Sequence, residues 1–279
     1  MRYIFCKVNS SNSKSIEHII PESLGNKTHT LYKGIVCDKC NNYFSHKIEK
    51  PVSEIPYFKL LRGRKMIENK KGKIPRISAF TKDKDIIDIS FLLDESDILK
   101  IKPNNKKIFE SIKIHNKLYV PILPKPPLND LSISKFIGKI ALEALAKRVS
   151  KAQNWQDNFV ENDGLDELRN FVRYGKGYPI WPYYIRRIYG ENKISYDKDL
   201  NKIIETLNEY DFLIPDNPSI NKEYHQINNL YFVMAIMGIE YTINLTNGGL
   251  DRYINWLSEN QNKSILLMEK SEFHSNLNL

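Results

Sequence analysis

The stretch Ser15-Ile-Glu-His-Ile-Ile20, with Cys37-Asp-Lys-Cys-Asn-Asn42 about twenty residues later, decides the fold of the first fifty residues. The first six residues predict a short strand, because a proline follows them and cannot donate to a sheet. Residues 21–33 predict a loop, and residues 34–36 predict a second strand. From Asp38 to about residue 50 apolar side chains recur at helical spacing, and the proline at position 51 predicts the end of that helix.

The cysteines predict a metal site that lacks one ligand. Cys37 and Cys40 have the spacing that lets two thiolates bind one ion from a tight turn. A complete zinc site has four ligands, and Cys6 is the only other cysteine in the chain. The same spacing also serves redox chemistry, but this segment does not offer the βαβ unit that such use requires. An odd number of cysteines favours metal binding or free thiols over a disulfide framework.

Glu17 and His18 are the candidate catalytic pair. Adjacent residues of a strand point to opposite faces, so a carboxylate and an imidazole would lie on two sides of this strand. A single histidine is more often a polar residue at the rim of a core than a functional group, and this alternative stays open for His18 taken by itself. The cysteine pair and the asparagine that follow it favour a functional site.

Taken together, these segments resemble the HNH endonuclease family, in the subgroup whose finger reads Glu-His-Ile-Ile-Pro-x-Ser-Leu-Gly and Cys-x-x-Cys-Asn-Asn. The resemblance covers residues 1 to about 50. It implies a ββα-metal fold and metal-dependent hydrolysis of DNA phosphodiester bonds. It also implies His18 as general base, with Glu17, where relatives more often have aspartate, and Asn41 holding one Mg²⁺, Mn²⁺ or Zn²⁺ ion. Cys6, Cys37 and Cys40 would hold a structural zinc ion.

The chain departs from the family pattern at two positions. Tyr3 stands where a cysteine is usual, so His29, His46 or a water would have to complete the zinc site. The middle asparagine of the signature would fall near Tyr32, and His29 in the same loop is a substitute that would orient the catalytic histidine or the metal. Asn42 is a further supporting candidate. Exposed polar positions without a catalytic role remain an open reading of both histidines.

The positive charge of the chain lies in its first quarter. Residues 1–76 hold 16 Lys and Arg against 6 Asp and Glu, a balance of +10, and the other 203 residues balance to −1. This distribution predicts contact with a polyanion, and double-stranded DNA is the expected partner. A lysine-rich solvated surface is the alternative. The candidate nucleic-acid-binding residues are Arg62, Arg64, Lys65, Lys70, Lys71 and Lys73.

The organisation predicted for the chain is α+β, with three parts. Residues 1–61 form the finger, residues 62–127 a basic linker or exposed hairpin with short β-segments, and residues 128–279 a mixed helix and strand domain. Apolar spacing predicts a helix over residues 133–149 and strand-like segments over 231–245. The C-terminal part would choose the substrate, bind a partner protein or form a homodimer.

Composition and hydropathy limit the class of protein. Apolar residues at 41% and charged residues at 27% are typical of a folded chain. No apolar run reaches the roughly 18–20 residues of a membrane span, and the N-terminus lacks a signal-peptide pattern, so a cytoplasmic location is expected. The alternative to an enzyme is a non-catalytic, zinc-finger-like module that binds nucleic acid without cutting it.

Overall fold

The computed structural model describes residues 2–9, 13–26, 28–69, 71–91, 99–102, 106–197, 201–215 and 228–268. These residues divide into two compact units. The first contains residues 1–21, 26–50 and 128–279, and the second contains residues 22–25 and 51–127. The predicted division at residues 62 and 128 stays a prediction. Within the described ranges, no helix combines the length and the apolarity that crossing a bilayer requires.

The first unit begins with two short strands and a helix. Strands β1 (Glu17–His18) and β2 (Thr30–Leu31) are antiparallel, and helix α1 (Asp38–Phe44) follows them. The predicted order of strand, strand and helix is confirmed, but the prediction of the second strand at residues 34–36 is wrong. In that segment the carbonyl of Ile35 accepts a hydrogen bond from the N–H of Ile4, so it pairs with the N-terminal turn instead of with β1.

Helix α1 continues past the predicted stop. A π-helical turn covers Ser45–Glu49, in which the N–H of the next residue reaches the Ser45 carbonyl, and α2 covers Lys50–Glu54. The prediction that Pro51 ends the helix is therefore wrong. Pro51 lies directly after the π-helical turn, where the regular i→i−4 hydrogen-bond pattern that proline disrupts is already interrupted.

The second unit is a small antiparallel sheet with two helices. Its elements are α3 (Pro56–Arg64), β3 (Ile77–Phe80), β4 (Ile86–Phe91), β5 (Leu99–Lys102) and α4 (Lys106–His115). The strands are arranged in the order β3-β4-β5. The prediction that residues 62–64 belong to an exposed linker is wrong, because α3 extends to Arg64 and Arg62 is buried within it.

The rest of the first unit combines helices with a four-stranded antiparallel sheet. The helices are α5 (Leu131–Val149), α6 (Trp155–Glu161), α7 (Asp166–Tyr174) and α8 (Asp251–Glu259). The sheet has the order β6-β11-β10-β9, and its strands are β6 (Tyr184–Arg187), β9 (Asn208–Leu213), β10 (Tyr231–Ile236) and β11 (Ile239–Asn244). A separate hairpin is formed by β7 (Ile194–Asp197) and β8 (Lys202–Glu205). The α+β class is confirmed.

Helix α5 is the central element of the first unit, and the sequence explains its placement. The Asp130 side chain caps its N-terminus by accepting the N–H of Ile133. Every residue from position 133 to position 146 except Lys135 is buried, so the helix is covered on nearly all sides. Gly138 permits the close approach of α7, since a methyl group at this position would lie 2.8 Å from Val172 Cγ2. This packing brings the polar residues of α5 into the interior.

The turn between β10 and β11 generates a stability prediction. Met237 and Gly238 both have positive φ, 46° and 85°, as a tight hairpin turn requires. A Cβ at Gly238 would lie 2.2 Å from the Tyr189 carbonyl oxygen. Gly238→Ala should therefore lower the free energy of unfolding by about 1–3 kcal/mol or more, measured by urea denaturation. Gly177→Ala is the matched control, because Gly177 has a φ of 89° with no atom within 4 Å. Equal losses in the two variants would contradict this account.

Candidate functional site

The β1–β2 hairpin presents its two candidate catalytic side chains in different environments. Glu17 pairs with Leu31 and His18 pairs with Thr30 in the antiparallel register. Only 5% of the surface of Glu17 is exposed to solvent, whereas His18 is half-buried. This difference is expected where neighbouring strand residues point to opposite faces. The carboxylate therefore faces the interior of the first unit, and the imidazole lies at its margin.

The buried amine of Lys139 contacts Glu17 and three other oxygen atoms. Lys139 Nζ, on α5, lies 2.5 Å from Glu17 Oε1, 2.9 Å from Glu49 Oε1 and 3.0 Å from Glu143 Oε2. It also donates a hydrogen bond of 3.0 Å to the main-chain oxygen of His18. The side chains of Lys139 and Glu143 are completely buried. Lys139 thus contacts both residues of β1.

Burial and charge set the protonation of this cluster. Burial raises the pKa of Glu143 well above its ordinary value, and the positive charge of Lys139 opposes that shift. Burial alone would lower the pKa of Lys139, but the three carboxylates, Glu143 foremost, raise it well above its ordinary value. Burial also raises the pKa of Glu17, and the positive charge of Lys139 opposes that shift. The ammonium is therefore charged and keeps Glu17 closer to its ionised form.

Sequence reasoning did not identify Lys139 or Glu143. The sequence does carry a signal, since the two residues are an i,i+4 pair of opposite charge within the otherwise apolar or small stretch 136–146. Charged residues in such a stretch are seldom fully buried unless they are paired. Their other partners were not detectable by periodicity, because Lys139 is separated from Glu49 by 90 positions and from His18 by 121.

A buried asparagine organises the loop between β1 and β2. The Asn26 side-chain nitrogen donates to the carbonyl oxygens of Ile20 and His29, at 2.6 and 3.3 Å. Its side-chain oxygen accepts the N–H groups of Thr28 and His29, at 3.1 and 3.0 Å. Sequence reasoning treated Asn26 only as part of a loop, although an asparagine after a glycine is a common turn residue. Asn26 holds the end of β1 against the start of β2.

The three cysteines converge as the sequence predicted. The Sγ atoms of Cys6, Cys37 and Cys40 all lie within 4.8 Å of one another, and no disulfide joins them. Cys6 Sγ and Cys37 Sγ are 3.7 Å apart. Two sulfurs bound tetrahedrally to zinc at about 2.3 Å would be separated by about 3.8 Å. The Cys40 N–H donates to Cys37 Sγ at 3.2 Å, a hydrogen bond that suits a thiolate in a metal-binding turn.

Helix α7 supplies a positive charge to the cysteine cluster. Arg173 Nε donates to Cys40 Sγ at 3.1 Å, and its guanidinium lies over the ring of Tyr43 at 4.5 Å. Within the cluster, a hydrogen bond from the Cys40 thiol lowers the pKa of Cys6 to about 5, and the same bond raises the pKa of Cys40. The cluster therefore already holds a thiolate near neutral pH, which is the form that binds a metal ion.

The N-terminal turn has the backbone of a metal-binding turn without its first cysteine. The main-chain carbonyl of Tyr3 accepts a hydrogen bond from the N–H of Lys7, and the main-chain N–H of Tyr3 donates to the carbonyl of Val8. Lys7 itself has a φ of 57°, which permits the tight turn after Cys6. Tyr3 is buried, and the ligand group found among the described residues contains the three cysteines and no histidine. The residues present fit a three-sulfur metal site.

Comparison with known proteins identifies the segment that contains both sites. Residues 4–55 match the family model described as HNH endonuclease. The N-terminal segment is an HNH domain. No curated protein and no solved structure gave a significant match. The family match therefore covers the hairpin, the cysteine cluster and α1, and ends before the second unit's helix and sheet and before α5.

The remaining predicted residues of the HNH domain lie near its surface. Asn41 is half-buried in the first turn of α1, and its N–H donates to the Cys37 carbonyl. Asn42 and His46 are exposed, and His46 Nδ1 lies 2.9 Å from the Asn42 carbonyl one turn earlier. The His29 ring contacts the Tyr210 ring edge-on at 5.6 Å. Neither histidine joins the cysteine cluster among the described residues, so the prediction that one of them completes it is wrong.

The predicted nucleic-acid-binding residues of the second unit differ in exposure. Arg62 is buried, so its prediction as a surface contact is wrong. Arg64 donates to the Pro121 carbonyl at 3.0 Å, and Lys65 is half-buried. Lys71 and Lys73 are exposed, and Lys70 lies outside the described residues.

The cysteine geometry predicts a bound metal. The purified chain should contain about one equivalent of zinc, and Cys37→Ser should lose it, as measured by elemental analysis after dialysis. Tyr3→Cys should bind zinc more tightly in competition with a chromophoric chelator, because it adds a fourth thiolate. His46→Ala is the control and should retain the wild-type zinc content. Wild-type protein without metal after zinc-supplemented expression would contradict the prediction.

The raised pKa of Glu143 predicts a pH-dependent stability. Its protonated form is favoured by the folded state, so this contribution is present below its ordinary pKa of 4.5 and is lost as pH rises. Glu143→Gln should therefore gain stability relative to wild type as pH rises above 4.5, measured by urea denaturation at a series of pH values. Glu167→Gln, at an exposed position of α7, is the control. A stability difference between Glu143→Gln and wild type that stays constant with pH would contradict the raised pKa of Glu143.

Proposed function

We propose that this chain is a metal-dependent endonuclease that hydrolyses phosphodiester bonds of double-stranded DNA. His18 is the general base, and Glu17 with Asn41 holds one divalent ion. The observation that carries the proposal is the HNH match over residues 4–55, which falls on a strand, strand and helix segment with a half-buried histidine on β1. HNH domains act on nucleic acid, which is consistent with this reading.

The proposed ligands of the catalytic ion suit a hard cation. The carboxylate of Glu17 and the side-chain amide of Asn41 offer oxygen atoms, which Mg²⁺ and Mn²⁺ prefer. Ligating carboxylates are usually held by a further hydrogen-bonding group, and Lys139 lies 2.5 Å from Glu17 Oε1. A divalent ion bound there would neutralise the charge that develops on the phosphoryl and leaving oxygens.

His18 has the placement that a general base needs. His18 is half-buried, so part of the residue is open to solvent. Imidazole accepts a proton readily near neutral pH, and in this proposal it takes the proton of the attacking water. Its main chain is held by the β2 register and by the Lys139 ammonium. The main chain of the proposed base is therefore held by β2 and by α5.

Charge supports nucleic acid as the substrate. Residues 1–76 carry the +10 balance, and the exposed Lys71 and Lys73 are available to phosphates. In the proposal residues 128–279 choose the substrate, bind a partner protein or form a homodimer, in addition to supporting the hairpin.

A second candidate function is nucleic-acid binding without cleavage. It is favoured by Tyr32, which stands where the family pattern has its middle asparagine and is 70% exposed beside Lys147, whose Nζ lies 4.5 Å from the centre of its ring. An exposed tyrosine with a lysine can stack on a base and contact a phosphate. In this reading the zinc-binding finger is a binding module.

A plasmid-nicking assay separates the two functions. Supercoiled DNA is incubated with the zinc-loaded chain and Mg²⁺ or Mn²⁺, and the rate of conversion to nicked and linear forms is measured. His18→Ala should lower the rate by about 10²–10⁴-fold, because the general base is removed. His46→Ala is the matched control. His46 is exposed in the π-helical turn, and its Nδ1 contacts the main-chain oxygen of Asn42 in the same helix.

The outcomes are distinct. Metal-dependent nicking that falls in His18→Ala and persists in His46→Ala would support the endonuclease. Wild-type protein that binds the plasmid and does not cut it with any of the metals would overturn the endonuclease and support the binding module. Equal cleavage by wild type and His18→Ala would overturn the role of His18.

A further inference from the structure

Lys139 contacts the hairpin from a helix that lies outside the HNH match. Its helix, α5, begins at Leu131, whereas the family match ends at residue 55. We propose that Lys139 is a positioning residue of the nuclease site, which holds the Glu17 carboxylate and the His18 main chain in the geometry that hydrolysis needs. The inference rests on the proposed function, and it adds a residue that the family pattern does not contain.

The burial of Lys139 argues for a specific role. Transferring an ammonium from water into a protein interior is strongly unfavourable, and a well-packed apolar side chain is often at least as stabilising as a buried ion pair. Lys139 is nevertheless fully buried, together with Glu143. Packing alone would be satisfied by an apolar residue at this position of α5. The presence of a charged residue here is better explained by its contacts with Glu17 Oε1 and with the main-chain oxygen of His18.

The contacts show what the amine controls. One atom, Lys139 Nζ, lies 2.5 Å from the side chain of Glu17 and 3.0 Å from the main chain of His18. These residues are the whole of β1, and β2 contributes only two residues to the pairing. A hairpin of this size has little rigidity of its own. Displacement of the amine would therefore free both the proposed metal ligand and the proposed base.

Glu49 and Glu143 hold the amine itself. Glu49 Oε1 lies 2.9 Å from Nζ at the end of the π-helical turn, and Glu143 lies one turn further along α5. The three acceptor carboxylates and the His18 carbonyl approach the amine from β1, from the π-helical turn and from α5. Lys139 cannot rotate away without losing several of these contacts at once. The positioning group is thus fixed before substrate binds.

The opposite role makes the opposite prediction. If Lys139 withheld Glu17 from the metal, its removal would increase metal affinity and cleavage. If it positions Glu17, its removal decreases both. Replacement of outer groups that orient metal ligands typically costs about 10–100-fold in metal affinity or activity.

The test compares three variants of the full, zinc-loaded chain. Lys139→Met removes the charge and keeps the length, and Lys139→Arg keeps the charge but cannot place one donor atom on all four oxygens. Lys135→Met is the matched control, because Lys135 is on the same helix and lies over the Phe171 ring. For each, kcat and KM are measured in plasmid nicking, Mn²⁺ affinity is measured without DNA, and folding is checked by circular dichroism.

The positioning role predicts that Lys139→Met loses about 10–100-fold in kcat and in Mn²⁺ affinity, with KM for DNA nearly unchanged. Lys139→Arg should fold, recover part of the Mn²⁺ affinity and remain slower than wild type, so the test holds even if the methionine variant does not fold. Lys135→Met should behave as wild type. Wild-type values in the folded Lys139→Arg or Lys139→Met variant, or higher ones, would overturn the positioning role and leave the nuclease intact. A wild-type chain that does not cleave would overturn the nuclease, and this role with it.

Discussion

The buried ammonium of Lys139 is the interaction on which the HNH hairpin depends. It joins β1, the π-helical turn after α1 and helix α5 through four oxygen atoms at 2.5–3.0 Å. A buried charge of this kind is tolerable only when its partners stay in place, because losing one partner leaves an uncompensated charge in the interior. The wide π turn matters here, since each extra residue in a helix rotates the following side chains by about 100° and so changes where Glu49 points.

A second contact between the finger and the C-terminal helices lies at the cysteine cluster. Arg173 of α7 approaches Cys40, while Lys139 of α5 approaches β1. Gly138 lets these two helices pack closely, so the two contacts come from one packed pair of helices. A finger of about fifty residues cannot build a sizeable core unaided. The finger is therefore held to these helices at two places, at the cysteine cluster through Arg173 and at β1 through Lys139.

Local signals in the sequence predicted much of this arrangement. The helix over residues 133–149 followed from its apolar spacing and is α5, and the cysteine triad followed from its spacing and does converge. The second strand was misplaced, because two residues of pairing at positions 30–31 carry no detectable periodicity. Pro51 was read as a stop, because a π-helical turn before it cannot be inferred from propensity.

The parts of the site that escaped prediction depend on tertiary contacts. Asn26 looks like any loop asparagine until its four hydrogen bonds are seen. Lys139 stands out with Glu143 in an apolar stretch, but its other partners lie 90 and 121 positions away and give no local signal. Arg62 was taken as a surface cation, because a basic run hides the end of helix α3. In each case the residue type was visible, and the environment that gives it a role was not.

The most direct test of the account is a crystal structure of the full chain with Mn²⁺ and a DNA duplex, with the ion located by anomalous scattering. The account predicts an anomalous peak within bonding distance of a Glu17 carboxylate oxygen and the Asn41 side-chain oxygen. It also predicts that Lys139 Nζ remains bonded to Glu17 and to the His18 carbonyl. A peak elsewhere, or a Lys139 side chain turned away from β1 in the loaded site, would contradict it.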